Sequence, residues 1–146
     1  MKKIAIIRIR GLVGVRKKIK DTLNMLRLRK KFVCVILDET KENIGMIKLV
    51  QTFVAYGEID KETLKALIMS RGRFPGDKIV NFAGSNLENV LNDFLDGKKK
   101  LKDIGIKPFF RLHPPKGGFK KSTKLLWPNG VLGKNPKINE LIIKML

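Results

Sequence analysis

The chain has 146 residues, of which 43% are apolar, and 32 Lys or Arg against 13 Asp or Glu give it a formal charge of +19. The length suits one compact domain, or a small domain with an appendage, and the apolar share is large enough for a core, which excludes global disorder. A surplus of this size repels itself in a folded body and calls for an anionic partner: nucleic acid, anionic lipid or acidic protein.

The charge is unevenly placed. Residues 1–31 carry twelve basic side chains against one acidic, and residues 98–146 carry thirteen against two, while the stretch between is close to neutral. Two cationic ends flanking a quiet middle indicate a folded body with two binding surfaces. Cys34 is alone, so no disulfide forms within the chain, and a single histidine with a single cysteine excludes the usual zinc sites. "MKKIAIIRIR" has too short an apolar run for a signal peptide, and "FVCVIL" is far short of a membrane span. The expected setting is reducing, cytoplasmic and soluble.

In chain order, "IAIIRIR" reads as a strand with Ala5, Ile7 and Ile9 on one face. Ile4, Ile6, Arg8 and Arg10 form the other face, which turns cationic, so a sheet partly open on that side is expected. Gly11 and Gly14 break the strand. Ile19, Leu23 and Leu26 then give an amphipathic helix over 15–28, ending in "RLRKK" at the negative end of its dipole. "FVCVIL" is β-branched and unbroken, as in a strand covered on both faces. Asn43 is placed to cap a second helix with a stripe of Ile44, Ile47, Val50 and Val54, joined by Met46, Leu49 and Phe53. "FVAYGEI" supplies a third strand. This β-α-β-α-β order predicts a small α+β domain with its helices on one side of the sheet.

Beyond Ile59 the pattern turns helical. Asp60 can cap a helix with Leu64, Leu67 and Ile68, ended by "RGRFPGDK". "SNLE" from Ser85 to Glu88 is a capping box ahead of Leu87, Val90, Leu91, Phe94 and Leu95, with Gly97 closing the helix. "WPNGVLG" reads as a turn region, and a last short helix starts at Asn135 or Pro136.

Catalytic motifs are weak. His113, within "FFRLHPPKGGFKKSTK", has basic and proline neighbours and no acid between Lys107 and Lys137, so a hydrogen bond to backbone or phosphate fits better than acid–base catalysis. "RGLVG" lacks the third glycine and the ribose-reading acid of a dinucleotide loop. Asp38, Glu39 and Glu42 fit a solvated turn with a helix cap better than a magnesium site. No cofactor is expected. The basic clusters "RKKIK", "RLRKK", "RGR", "KKKLK" and "KGGFKKSTK" carry the functional signal: Arg matches phosphate oxygens with a planar fork, and Lys adds point charge. Phe109, Phe110, Phe119 and Trp127 lie among them, where they can stack on unpaired bases or anchor the tail on the core. No helix-turn-helix, finger or zipper pattern points to DNA, and the helices with the best apolar faces look like core helices instead of membrane-binding ones.

"LNMLRLRKKFVCVILDETKENIGMIKLVQTFVAYGEI" resembles the universal large-subunit ribosomal protein family numbered thirty, called number seven in eukaryotes. "RGRFPGDK", "FFRLHPPKGGFKKSTK" and "INELIIKM" resemble its archaeal and eukaryotic branch, and the lack of a long basic N-terminal extension favours the archaeal form. The resemblance implies a ferredoxin-like domain over 1–59 with a three-stranded antiparallel sheet, and a helical and basic extension over 60–146 packed on it. It further implies no enzymatic activity and a place in the large subunit, with large-subunit rRNA and neighbouring ribosomal proteins as partners and 5S rRNA as a candidate one. Alternatives of other kinds are a free RNA chaperone and an RNA-processing enzyme. One rRNA-binding surface is expected at Arg8, Arg10, Arg16, Lys17, Arg27, Arg29, Lys30 and Lys31. A second is expected at Arg71, Arg73, Arg111, His113, Lys116, Lys120, Lys121 and Lys124.

Overall fold

The computed structural model describes residues 3–11, 13–71, 73–74, 78–79, 85–96, 109–119, 122–127 and 129–146. Its centre is strand β1 (Lys3–Arg8), paired antiparallel with β2 (Val33–Asp38) on one side and with β3 (Val54–Glu58) on the other. Helices α1 (Lys17–Met25) and α2 (Lys41–Val50) make the two crossovers, giving the expected β-α-β-α-β core.

Both faces of this sheet are covered, which follows from the alternation of side chains along a strand. Ile4 and Ile6, with Val33, Val35 and Val54, pack on Leu23, Leu26 and Leu28 from the end of α1 and on Ile47 and Val50 of α2. Ala5, Ile7 and Ile9, with Cys34, Ile36 and Ala55, face the opposite way. There they meet α3 (Lys61–Arg71) through Leu64, Leu67 and Ile68, α4 (Ser85–Leu95) through Leu91 and Phe94, and α5 (Ile138–Met145) through Ile138, Ile142 and Met145. The expected half-open sheet is therefore corrected: Arg8, on the face that turns cationic, is only 5% exposed, because the chain after α1 folds over it.

The C-terminal part also extends the sheet. β6 (Phe110–Arg111) adds antiparallel to β2, with Val33 opposite Arg111. β8 (Gly130–Lys134) runs parallel to β3, and β7 (Ser122–Leu126) lies beside it, completing the order β6-β2-β1-β3-β8-β7. A separate short pair joins β4 (Arg73–Phe74) and β5 (Lys78–Ile79). "WPNGVLG" is thus only partly a turn, since Gly130 to Gly133 belong to β8 and are buried beside β3. Its glycines gave no alternating pattern from which to read a strand.

Three local details differ from expectation. α1 runs over Lys17–Met25, shorter than 15–28. Thr40 caps α2, its hydroxyl accepting from the Asn43 backbone N–H, while Asn43 donates its side-chain amide to the Asp38 carbonyl. The last helix begins at Ile138, and the buried Asn135 holds the approach to it: its side-chain oxygen accepts from Lys137 N and its backbone N–H donates to Tyr56 O. Gly57 makes this docking possible, because a Cβ there would stand 2.6 Å from Asn135 O and 2.7 Å from Ile138 Cγ2. Asn139 adds a clamp, accepting from Asp60 N and donating to Glu58 O.

Candidate nucleic-acid interface

The turn after α1 is built from two buried leucines with a cation between them. Leu26 and Leu28 are buried, so the chain must reverse within three residues. It does so with Arg27 at φ 64°, while Arg27 N donates to Asn24 O and Leu28 N donates to Leu23 O. This is the bonding pattern of a helix end closed by a left-handed residue, a place glycine normally takes. An arginine there costs about 1–2 kcal/mol of backbone strain. The next reversal is Phe32, also at φ 64°, whose backbone N–H donates to Arg8 O and whose carbonyl accepts from Leu112 N. Arg27, Arg29, Lys30 and Lys31 all project into solvent from the loop fixed between these two points.

Arg8 fixes this loop from inside. Its Nε donates to Arg10 O at 3.0 Å and its Nη1 to Leu28 O at 3.2 Å, and burial pushes its pKa below the usual arginine value. A guanidinium spent on main-chain carbonyls inside the protein does not present itself to an external phosphate, so Arg8 shapes the surface and is not part of it. Arg10 is half-buried, its guanidinium 5.1 Å from the centre of the Phe53 ring and its Nη1 donating to Thr52 O. Arg16 and Lys17 are exposed at the start of α1, a helix with no acid in its first turn. Cations there oppose the positive end of the helix dipole, an arrangement that a bound anion relieves.

Arg111, expected from its sequence position on the second surface, lies beside Arg27, Arg29 and Lys30. β6 carries Phe109 and Arg111 to the same side of the sheet edge, separated by the buried Phe110. There they complete a hollow of about 310 Å³ lined by Arg27, Arg29, Lys30, Val33, Phe109 and Arg111. Among the described residues four cations and no carboxylate line it, and none of the four makes a salt bridge.

The segment after β6 is tied to the end of α5: His113 N donates to Met145 O and Lys116 N to Lys144 O. The side chains of His113 and Lys116 are both exposed. Arg71, at the end of α3, is half-buried, and its Nε is buried with no hydrogen-bond partner among the described residues. Lys120, Lys121 and the "KKKLK" cluster lie outside the described residues, as do the side chains of Arg73 and Lys124. Of the four aromatics in the basic segments, Phe110 is core and Phe119 stacks on Phe32 with ring centroids 6.2 Å apart. Only Phe109 lines the basic hollow. Its sequence signal was present, an aromatic two positions before an arginine in a basic segment, but nothing local separated it from Phe110.

The acidic turn is also accounted for. Asp38 pairs with Lys3, a buried lysine whose ammonium lies 4.6 Å from the Phe94 ring centre. Cys34 is buried in β2, and desolvation pushes its thiol up to about 12, well away from the thiolate needed for reactivity.

These features define a mixed α/β protein with a β-α-β-α-β centre wrapped by its own C-terminal half, displaying arginines on a rigid loop. The family model described as Ribosomal protein L30p/L7e matches residues 4–54. A Methanococcus maripaludis protein named "Large ribosomal subunit protein uL30" is 44% identical, the match covering 97% of this chain and 98% of that protein. Proteins of the same name from Archaeoglobus fulgidus and Methanoregula boonei are 42% and 41% identical with the same coverage. The chain belongs to the L30p/L7e ribosomal protein family, in its archaeal branch.

Proposed function

We propose that the protein is a structural constituent of the large ribosomal subunit that binds and bridges large-subunit rRNA, acting in the cytoplasm beside neighbouring ribosomal proteins and catalysing no reaction. The observation that carries this is the cluster of Arg27, Arg29, Lys30 and Arg111: four cations converge on one hollow of a +19 chain, with no carboxylate among the described residues of its walls. Such a cluster repels itself and is stabilised when phosphates sit among its members. The backbone beneath is held by Arg8 and by two buried leucines, so the cations are positioned before the partner arrives. Arg10, Arg16, Lys17 and Lys31 extend this surface. His113 and Lys116, on the segment pinned to α5, belong to the second, together with Arg71, Arg73, Lys120, Lys121 and Lys124.

The test is sucrose-gradient fractionation of cell extract with immunodetection of the chain. Co-migration with large subunits, retained until high salt strips them, is the expected result, whereas a position at the top of the gradient indicates a free RNA chaperone. Incubation of the protein with labelled rRNA, 5S rRNA and Mg²⁺ should show binding without turnover. Cleavage or modification of the RNA would replace the structural assignment with an enzymatic one.

A further inference from the structure

We infer that the hollow between the Arg27–Lys30 loop and β6 is a socket for one unstacked nucleotide of RNA, its base against Phe109 and its phosphate among the surrounding cations; this rests on the RNA-binding function proposed above. A purely electrostatic contact with a duplex needs only exposed cations near its phosphates and makes no use of an aromatic wall. Here the cations ring a concavity of about 310 Å³ with an aromatic side chain and Val33 in its wall. That volume is at the small end of ligand pockets, which run from roughly 300 to 1,000 Å³, and suits a single nucleotide.

The wall is firm. Phe109 packs against the cluster of Ile6, Leu28 and Val35 while still lining the hollow, so its ring is braced from behind. Val33 and Arg111 are opposed across the β2–β6 pair, which sets the distance between floor and rim. The Arg111 guanidinium lies over the Phe109 ring at 5.8 Å from its centre, near the outer limit of about 6 Å for such a pair, so an entering base takes the place of a weak contact. Bases within a duplex keep both faces covered by their neighbours, so a ring recessed among cations selects a base that has left the stack. The left-handed Arg27 supports the same conclusion, since strain held at a non-glycine residue keeps one arginine on the rim.

The experiment uses the full chain and two RNA hairpins of equal length, one with a single bulged 2-aminopurine and one fully paired. The bulged hairpin should bind more tightly, with a change in 2-aminopurine emission as the base moves onto Phe109. Phe109→Leu, which keeps an apolar side chain in the packing, should weaken the bulged complex by about 5- to 150-fold, the range that loss of one stacked base produces. Arg111→Gln, at an exposed position, should reduce the salt dependence of binding by about one phosphate contact. Equal affinity for the two hairpins with a steep salt dependence would overturn the socket and leave the phosphate-binding function standing. Failure to bind either RNA would overturn both, and an unchanged emission in the wild-type complex would overturn the socket independently of any variant.

Discussion

Replacing Arg27 with glycine separates what the turn after α1 does for the fold from what it does for binding. The residue sits at φ 64° and its side chain is exposed, so its removal loses little packing. Glycine relieves about 1–2 kcal/mol of left-handed strain. It also adds freedom to the unfolded chain, a cost of about 0.5–1 kcal/mol. The net effect is a gain of about 0–1.5 kcal/mol, or up to about 6 °C in the thermal midpoint for a chain of this size. Binding should move the opposite way: one lost phosphate contact lowers the slope of log K against log salt by about 0.7–0.9. Arg27→Ala is the matched control, because alanine keeps the strain while losing the charge; its midpoint should stay near that of the parent while its RNA affinity falls as in the glycine variant. Thermal denaturation by circular dichroism and filter binding to rRNA fragments measure the two effects. A glycine variant less stable by 1 kcal/mol or more, or one binding RNA as tightly as the parent, would refute the reasoning.

Gly57→Ala should destabilise by about 1–3 kcal/mol, because its Cβ would overlap Asn135 O and Ile138 Cγ2; hydrogen exchange should show α5 losing protection first. Arg8→Gln should cost about 1–3 kcal/mol in denaturant unfolding by leaving the Leu28 carbonyl without its buried donor, and should loosen the 27–31 loop. Cys34 sets an alkaline limit: below its ordinary value of 9.0 both states hold the proton and stability is full, whereas between 9.0 and about 12 only the unfolded chain ionises. Stability should therefore fall as pH rises from 9 to 10, with a slope approaching 1.4 kcal/mol per unit at most, as about one proton is lost on unfolding, and Cys34→Ala should flatten it.

The core elements were legible because their signals are periodic. Ala5, Ile7 and Ile9 against Ile4 and Ile6 sort into the two observed clusters by alternation alone, and Leu64, Leu67 and Ile68 mark the buried side of α3. The strands from the C-terminal part were not legible. β6 has two residues and β8 is largely glycine and small apolar groups, so neither shows a period, and each forms only because an edge of the central sheet was free to receive it. Arg8 shows the complementary failure: charge and strand position suggest exposure, and only the return of the chain at Leu28 buries it. The basic surface was legible as composition and not as geometry. Arg27 and Arg111 are 84 positions apart in sequence, and it takes the β2–β6 pairing to place them around one hollow.

The most direct test of the central claim, that phosphates occupy the Arg27, Arg29, Lys30 and Arg111 cluster, is the salt dependence of rRNA binding by the parent chain and by an Arg27→Glu/Arg29→Glu double variant. The parent should lose about 10³–10⁵ in affinity between 50 and 200 mM salt if roughly 6–10 phosphates are neutralised, and the double variant should bind more weakly with a shallower slope while keeping its circular dichroism. A flat salt response in the parent, or parallel lines of equal height for the two proteins, would contradict it.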